Sequence, residues 1–482
     1  MSVGESLENF VDGAWVRSGA TEQIEVPDPS RGTTIARVPR SGAADVDRAV
    51  RSARAAFGAW RDVPVAERAR LVLALRHRLE DGAEELARLV VQENGKTLDE
   101  ARGSVRRGIE AVEFAASAPS TLQGSFLEDV SRGVDTTLIR QPVGVVAGIT
   151  PFNFPVMIPL WMAPLALVCG NTFVLKPSER VPLSAAWIAR AIADSGFPHG
   201  TFNLVHGDAL AVDAILAHPG VDAVSFVGSA PTARHIYTTG TAHGKRVQAL
   251  AGAKNYILVL PDADLDRSIP AIISSAFGQA GERCLAGALV VAVEPGADRV
   301  VARLAEAVSR LTTGVASDPA TEVGPVIRAD HQERVLRWIA EGEKLGAKVV
   351  ARGPAPAGGG GYYVAPVLFD HVRPEMSIAQ EEIFGPVLGV IRAGSLAEAI
   401  EVANRSRFGN ASAIFTRDGK AAREFVHRIE AGMLGVNIGV PAPAAYFPFV
   451  GWKGSFYGDL HATGRDAIEF YTRKKVVITR WF

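Results

Sequence analysis

The chain changes its hydrophobic period along its length. Over residues 43–60 and 65–95, apolar residues recur at helical spacing with charge between them, as at Leu71, Leu75, Leu79, Leu86 and Val90. Such stripes predict amphipathic helices lying on an apolar layer. Further on, short apolar runs at 144–149, 171–176, 223–228 and 256–260 read as buried strands, with helical stretches such as 184–195 and 210–218 between them. Strand–helix alternation predicts a parallel sheet covered on both faces. A second α/β region is expected from about residue 263, with strands at 288–293 and 386–391 and helices at 297–311 and 329–345. The glycine run at 357–361 reads as a surface turn. The tail, 467–482, alternates like an exposed strand, which is a pairing hazard unless a partner subunit covers it.

One stretch, 142–175, has no charged residue and is long enough to span a bilayer. Its prolines at 142, 151, 155, 159 and 164 argue instead for a buried strand, a loop and a buried helix. The 482 residues include 51 basic and 52 acidic side chains, a balance without the electrostatic footprint of nucleic-acid or anionic-membrane binding. Two distant cysteines, Cys169 and Cys284, cannot form a disulfide scaffold and predict a reducing compartment. The acidic N-terminus lacks the layout of a targeting peptide, so cytoplasm is expected. The scattered histidines predict no metal site.

Chemistry concentrates in a few stretches. Cys284 lies in Gly-Gln-Ala-Gly-Glu-Arg-Cys-Leu-Ala-Gly, where Gly278 and Gly281 permit a sharp turn and Arg283 places a cation beside the sulfur. A nearby cation favours the nucleophilic thiolate. Asn153, in Thr150-Pro-Phe-Asn-Phe-Pro, follows the first strand and either donates to an oxyanion or caps the next helix. Lys176 and Glu179 follow the second strand and suit a ribose diol, favouring NAD over NADP, although alone the stretch is also a solvated turn. Ser229 follows the third strand at a prospective helix start that could face a phosphate. The Gly-x-Gly-x-x-Gly fingerprint is absent. Glu381-Glu-Ile-Phe-Gly-Pro could hold a second ribose, or end a helix at a domain boundary.

Together these stretches resemble the aldehyde dehydrogenase superfamily over nearly the whole chain. The resemblance implies an aldehyde-dehydrogenase-like α/β fold: an NAD-binding domain from 1–121 and 143–253, a catalytic domain from 254–450, and oligomerisation strands at 122–142 and 465–482, with a homotetramer expected. It implies Cys284 as nucleophile and Asn153 as oxyanion donor. It also implies NAD contacts from Thr150, Phe152, Lys176, Glu179, Arg180, Ser229, Ala251, Glu382 and Phe384.

One departure matters. Most members carry Glu-Leu-Gly-Gly-Lys, whose Glu activates water; here Leu250 falls at that position, in Ala249-Leu-Ala-Gly-Ala-Lys. General-base help of about 10²–10⁴-fold is thereby missing for water, whereas a thiol acceptor needs less of it. Coenzyme A is the expected acceptor. The alternative is a hydrolytic aldehyde dehydrogenase releasing a free acid, with Glu282 as base. A non-catalytic protein reusing the fold is a further rival, against which the intact Cys284, Asn153 and Lys176 speak. Gly252-Ala-Lys-Asn, Gly-Glu-Arg-Cys and Asn437-Ile-Gly-Val-Pro-Ala-Pro are similar to the CoA-acylating methylmalonate-semialdehyde dehydrogenases, for which malonate semialdehyde is the companion substrate. Valine, β-alanine or inositol breakdown are the settings implied. Arg107 and Arg283 are then expected to grip the substrate carboxylate through guanidinium forks. Otherwise Arg107 is an ion pair with Glu110 and Arg283 a thiolate stabiliser.

Overall fold

The computed structural model describes residues 6–356 and 359–482. The first five residues of the acidic N-terminus, and Ala357 and Gly358 of the expected glycine turn, lie outside them. Among the described residues two large sheets are built in succession. The first has eight strands, with a parallel centre of Phe202–Leu204, Thr172–Lys176, Val145–Ile149, Ala223–Val227 and Arg246–Leu250. The second has seven, in the order Lys348–Arg352, Val367–Asp370, Val387–Ala393, Gly287–Val293, Asn255–Val259, Ala411–Phe415 and Met433–Val436. All but the first of these run parallel.

The central strands are buried on both faces, which is why they read as unbroken apolar runs. One strand belongs elsewhere than its position in the sequence suggests. Asn255–Val259 lies in the second sheet, between Gly287–Val293 and Ala411–Phe415. The strand that follows Ala223–Val227 in the first sheet is Arg246–Leu250. Its Arg246 and Gln248 hide it from a hydropathy reading. Both polar heads are satisfied internally, by the carbonyls of Glu469, Phe470 and Thr472 and by that of Leu460.

The helical run at 65–95 is two helices, Val65–Asp81 and Ala83–Asn94, broken at Gly82. A side chain at Gly82 would meet the Trp187 ring at 2.2 Å, so the break leaves room only for glycine. The uncharged stretch forms the strand Val145–Ile149 and the wholly buried helix Met157–Val168. No helix among the described residues is long and apolar enough to cross a membrane.

The tail is only partly a strand. Residues Gly464–Phe470 form a helix, because Ala467, Ile468 and Phe470 turn to one buried side, and the strand begins at Thr472. Thr472–Arg480 pairs antiparallel with Val134–Pro142, which pairs with Ser125–Ser131. This small sheet presents Phe126 at 63 % exposure and Ile478 at 70 %, with Leu127, Val476 and Trp481 beside them.

Candidate active site

In the first sheet, the parallel strands deliver their C-terminal loops to one edge, where open α/β sheets bind ligands. The loops after Val145–Ile149, Thr172–Lys176, Ala223–Val227 and Arg246–Leu250 carry Asn153, Glu179, Ser229 and Ala251 respectively. The second sheet brings Cys284 and Glu382 to meet them. Gly252 has no side chain, and a Cβ there would lie 2.7 Å from the Glu382 carboxylate. Glu382 accepts the Ala253 N–H at 2.9 Å.

Of the two glycines expected to turn the cysteine loop, only Gly281 takes a left-handed backbone; Gly278 has φ −55°, and the turn runs through Gln279 and Ala280 instead. Gly281 has φ +72°, and a Cβ there would meet the Gly385 carbonyl oxygen at 2.2 Å. Side chains from two strand starts hold the nucleophile's backbone: Asn255 and Asn410 each donate to the Cys284 carbonyl at 2.8 Å. Cys284 packs against the apolar cluster that includes Leu250, Leu285 and Phe449. Asn153 Nδ2 donates to the Glu282 carbonyl at 3.0 Å. An amide nitrogen carries two hydrogens, so this bond fixes the amide plane and leaves the second hydrogen for an oxyanion. The capping alternative for Asn153 is not what the side chain does.

The thiol does not rest as the thiolate that its cationic neighbour led us to expect. Burial is the largest influence on it and pushes the Cys284 thiol up to about 12, with Glu382 adding to the rise. Arg283 and the backbone N–H groups of Cys284 and Leu285 pull the other way without prevailing. Arg283 is turned back over Gly278, donating to the carbonyls of Ser274 and Ser275.

Arg107 donates to Glu110 at 2.8 Å, the ion pair foreseen as its alternative role, and also to the Pro443 carbonyl at 2.6 Å. It lines a recess with Trp161, Ala445, Phe449 and Thr463. Arg283 lines a different cavity, with Lys254, Glu382 and Phe384. Each of the two arginines expected to share one carboxylate is thus engaged with protein acceptors, Arg107 with Glu110 and Pro443 and Arg283 with Ser274 and Ser275. Glu282, the other candidate base, is 1 % exposed, accepts the Ile327 N–H and lies 3.4 Å from His331 Nε2. Burial pushes its carboxyl up to about 8, so it is largely protonated near neutrality and poorly placed to activate water.

The first sheet's edge fits a dinucleotide. Lys176, buried and depressed in pKa by burial, donates to the Gly207 carbonyl at 2.7 Å and stands 3.6 Å from the Glu179 carboxylate. That is a donor and an acceptor at the spacing of a diol. The Ser229 hydroxyl bonds Thr232 and leaves the helix Ala230–Ala242 without a side-chain cap, so its leading N–H groups can take a phosphate. Arg180 lies 5.2 Å over the Phe152 ring, whose edge meets Phe384 at 5.9 Å. Thr150 and Ala251 are buried at their strand ends.

Three residues near the site were not foreseen. His331 Nε2 bonds the Phe384 carbonyl at 2.7 Å, where Phe384 stands at φ +59°, and lies 3.4 Å from the Glu282 carboxylate. Nothing in its sequence context marks it. Lys96 donates to the Asn153 carbonyl and Glu100 accepts the Gln279 N–H; the Thr97-x-x-Glu100 capping box was a readable signal for the helix that presents Glu100.

An aldehyde-dehydrogenase family model matches residues 15–477, and the chain belongs to the aldehyde dehydrogenase family. It is an oxidoreductase of that class. It is 53 % identical to malonate-semialdehyde dehydrogenase 2 of Geobacillus thermodenitrificans (strain NG80-2), over the full length of both. It is 51 % identical to the malonate-semialdehyde dehydrogenase of Halalkalibacterium halodurans, covering 100 % of this chain and 99 % of that one. The crystal structure of methylmalonate-semialdehyde dehydrogenase from Oceanimonas doudoroffii superposes with a TM-score of 0.97 at 45 % identity, covering 100 % and 99 % of the two chains. A Sinorhizobium meliloti 1021 protein assigned as a methylmalonate-semialdehyde dehydrogenase and complexed with NAD gives 0.98 at 43 %, with the same coverage.

The raised thiol generates a prediction. Without cofactor, the rate of Cys284 alkylation by iodoacetamide should still be rising at the highest pH the fold tolerates. A plateau at or below neutral pH would show a resting thiolate and contradict the burial argument.

Proposed function

We propose that the protein oxidises malonate semialdehyde and methylmalonate semialdehyde with NAD and passes the acyl group to coenzyme A. The observation that carries the acceptor is Leu250. It ends a strand of the first sheet, is buried, and belongs to the apolar cluster against which Cys284 packs. It cannot accept a proton from water. The names of the full-length relatives support the substrate class, and the NAD complex among them supports the cofactor.

Cys284 gives up its proton to solvent once substrate and cofactor are bound, and the thiolate adds to the aldehyde carbonyl. The developing oxyanion accepts hydrogen bonds from the spare N–H of the Asn153 amide and from the Cys284 backbone N–H. NAD bound along the Lys176–Glu179 and Ser229 edge, with Glu382 on its second ribose, accepts the hydride. The product is a thioester on Cys284. Because the thioester carbonyl can hold an electron pair as its enolate, the β-carboxylate leaves as carbon dioxide and the enolate takes a proton. The CoA thiolate then attacks, Cys284 departs, and acetyl-CoA or propionyl-CoA is formed. Arg107 binds the substrate carboxylate from its recess by exchanging the Pro443 carbonyl or Glu110 for it. Arg283 joins it only if it swings away from Ser274 and Ser275. Water competes poorly, because neither Leu250 nor the protonated Glu282 removes its proton. We also propose that the small sheet bearing Phe126 and Ile478 is covered in a homotetramer, and that the reaction is cytoplasmic. Sedimentation at the single-chain mass of 51.1 kDa would refute that assembly.

NADH formation from both semialdehydes and from propanal, with and without CoA, tests the reading, with products identified by mass. Sustained turnover should require CoA and yield acyl-CoA; undiminished turnover without it, giving a free acid, would support the hydrolytic alternative. In Arg107→Leu, KM for the carboxylated aldehydes should rise about 10-fold or more while propanal is little affected. Equal effects on both would remove Arg107 from carboxylate recognition.

A further inference from the structure

We propose that Lys96, Glu100 and Gln279 are positioning residues that clamp the Asn153 loop against the Cys284 loop. The proposal rests on the roles of Asn153 and Cys284 given above.

The clamp works on one backbone carbonyl. Lys96, 1 % exposed, donates from Nζ to the Asn153 carbonyl at 2.7 Å and lies 4.4 Å from the centre of the Phe154 ring. Two residues earlier, Asn94 donates to the Phe152 carbonyl at 3.0 Å. Three successive residues of the oxyanion loop are thus held by the turn after the helix Ala83–Asn94. From the cysteine side, Gln279 Nε2 donates to the same Asn153 carbonyl and reaches the Glu282 carbonyl at 3.4 Å. That second carbonyl is also the acceptor for the Asn153 amide. One glutamine therefore spans both ends of the pair.

Gln279 is itself held. Its N–H donates to Glu100 at 2.6 Å, while the other Glu100 oxygen accepts the Thr97 N–H at 3.0 Å and closes the capping box of the helix Leu98–Ala116. Gln279 and Ala280 have φ of +54° and +51°, a left-handed backbone unfavourable to residues with a side chain. The Glu100 bond accounts for why the loop stays there.

A structural role alone explains Lys96 poorly. Burying an amine is costly, and an apolar side chain would fill the space under Phe154 at less expense. Burial pushes the amine down to about 7, against Glu100 and Glu282, which raise it, and with Arg283, which lowers it further. What the amine adds over an apolar residue is a directed donor to the carbonyl next to the catalytic amide. A misplacement of about 1 Å in such a group costs up to roughly 10²-fold in rate.

The test uses the full-length enzyme and three variants, Lys96→Met, Lys96→Arg and Gln279→Asn. Asn tolerates the left-handed backbone, so Gln279→Asn keeps the loop's path while its shorter amide falls short of the Asn153 carbonyl. Stopped-flow NADH formation gives the hydride-transfer rate constant per active site and the burst amplitude. NAD affinity and the thermal midpoint are measured alongside. The expected result is a rate constant lowered about 10- to 100-fold in Lys96→Met and Gln279→Asn, with burst amplitude and NAD affinity retained and partial recovery in Lys96→Arg. Transfer to CoA should fall in parallel, since it passes through the same oxyanion. A merely structural role would lower the amplitude and the thermal midpoint and spare the rate constant, which would overturn the clamp. If Lys96→Met does not fold, Gln279→Asn decides: a rate constant within about twofold of the parent overturns the proposal. A Cys284→Ser control that still forms NADH would overturn the underlying roles instead.

Discussion

The hydrogen bond from the Asn153 amide to the Glu282 carbonyl joins the two halves of the molecule's chemistry. Asn153 hangs from a strand of the first sheet, and Glu282 belongs to the cysteine loop that precedes the second sheet's strand Gly287–Val293. Neither sheet alone makes a site. The first supplies a diol grip, an uncapped helix start and an oxyanion donor. The second supplies a sulfur and a carboxylate for the far ribose. Only their close approach at Gly252, where a side chain would collide with Glu382, puts these within reach of one substrate.

That approach also sets the electrostatic character of the site. Cys284, Glu282 and Glu382 are all pushed toward their neutral forms chiefly by burial. Neutral groups cannot serve as resting nucleophile or base, so the site is one in which ionisation awaits substrate or cofactor. In that setting the identity of residue 250 decides the fate of the acyl enzyme. A leucine offers water nothing, and the buried Glu282 already accepts the Ile327 N–H and lies beside His331. A thiol, which ionises far more readily than water, does not depend on that help.

Much of this was legible in the chain. The buried strands announced themselves because parallel strands covered on both faces leave no polar positions. The motif residues Asn153, Lys176, Glu179, Cys284 and Glu382 are found at the strand ends and loops their sequence neighbours implied. The strand Arg246–Leu250 was invisible because Arg246 and Gln248 find their partners only in the folded chain, at Glu469 and at Ser225 and Leu460. The start of the tail was misread because a short helix with one buried side and an alternating strand share apolar positions over four residues. The orientation of Arg283 was not legible at all. Its neighbourhood to Cys284 in sequence says nothing of the Ser274 and Ser275 carbonyls, which the helix Leu265–Phe277 brings round to it. Lys96 escaped notice because its partner is a backbone carbonyl, and backbone partners leave no sequence signature.

The most direct measurement is the lifetime of the acyl group on Cys284. The enzyme is loaded by a single turnover with NAD and semialdehyde, freed of small molecules, and followed by intact mass with and without CoA, for the parent and for Leu250→Glu. The expected result is an adduct that persists in water and vanishes on adding CoA, and that water clears at least about 10²-fold faster in Leu250→Glu. A parent adduct that water removes as fast as CoA does would contradict the role given to Leu250.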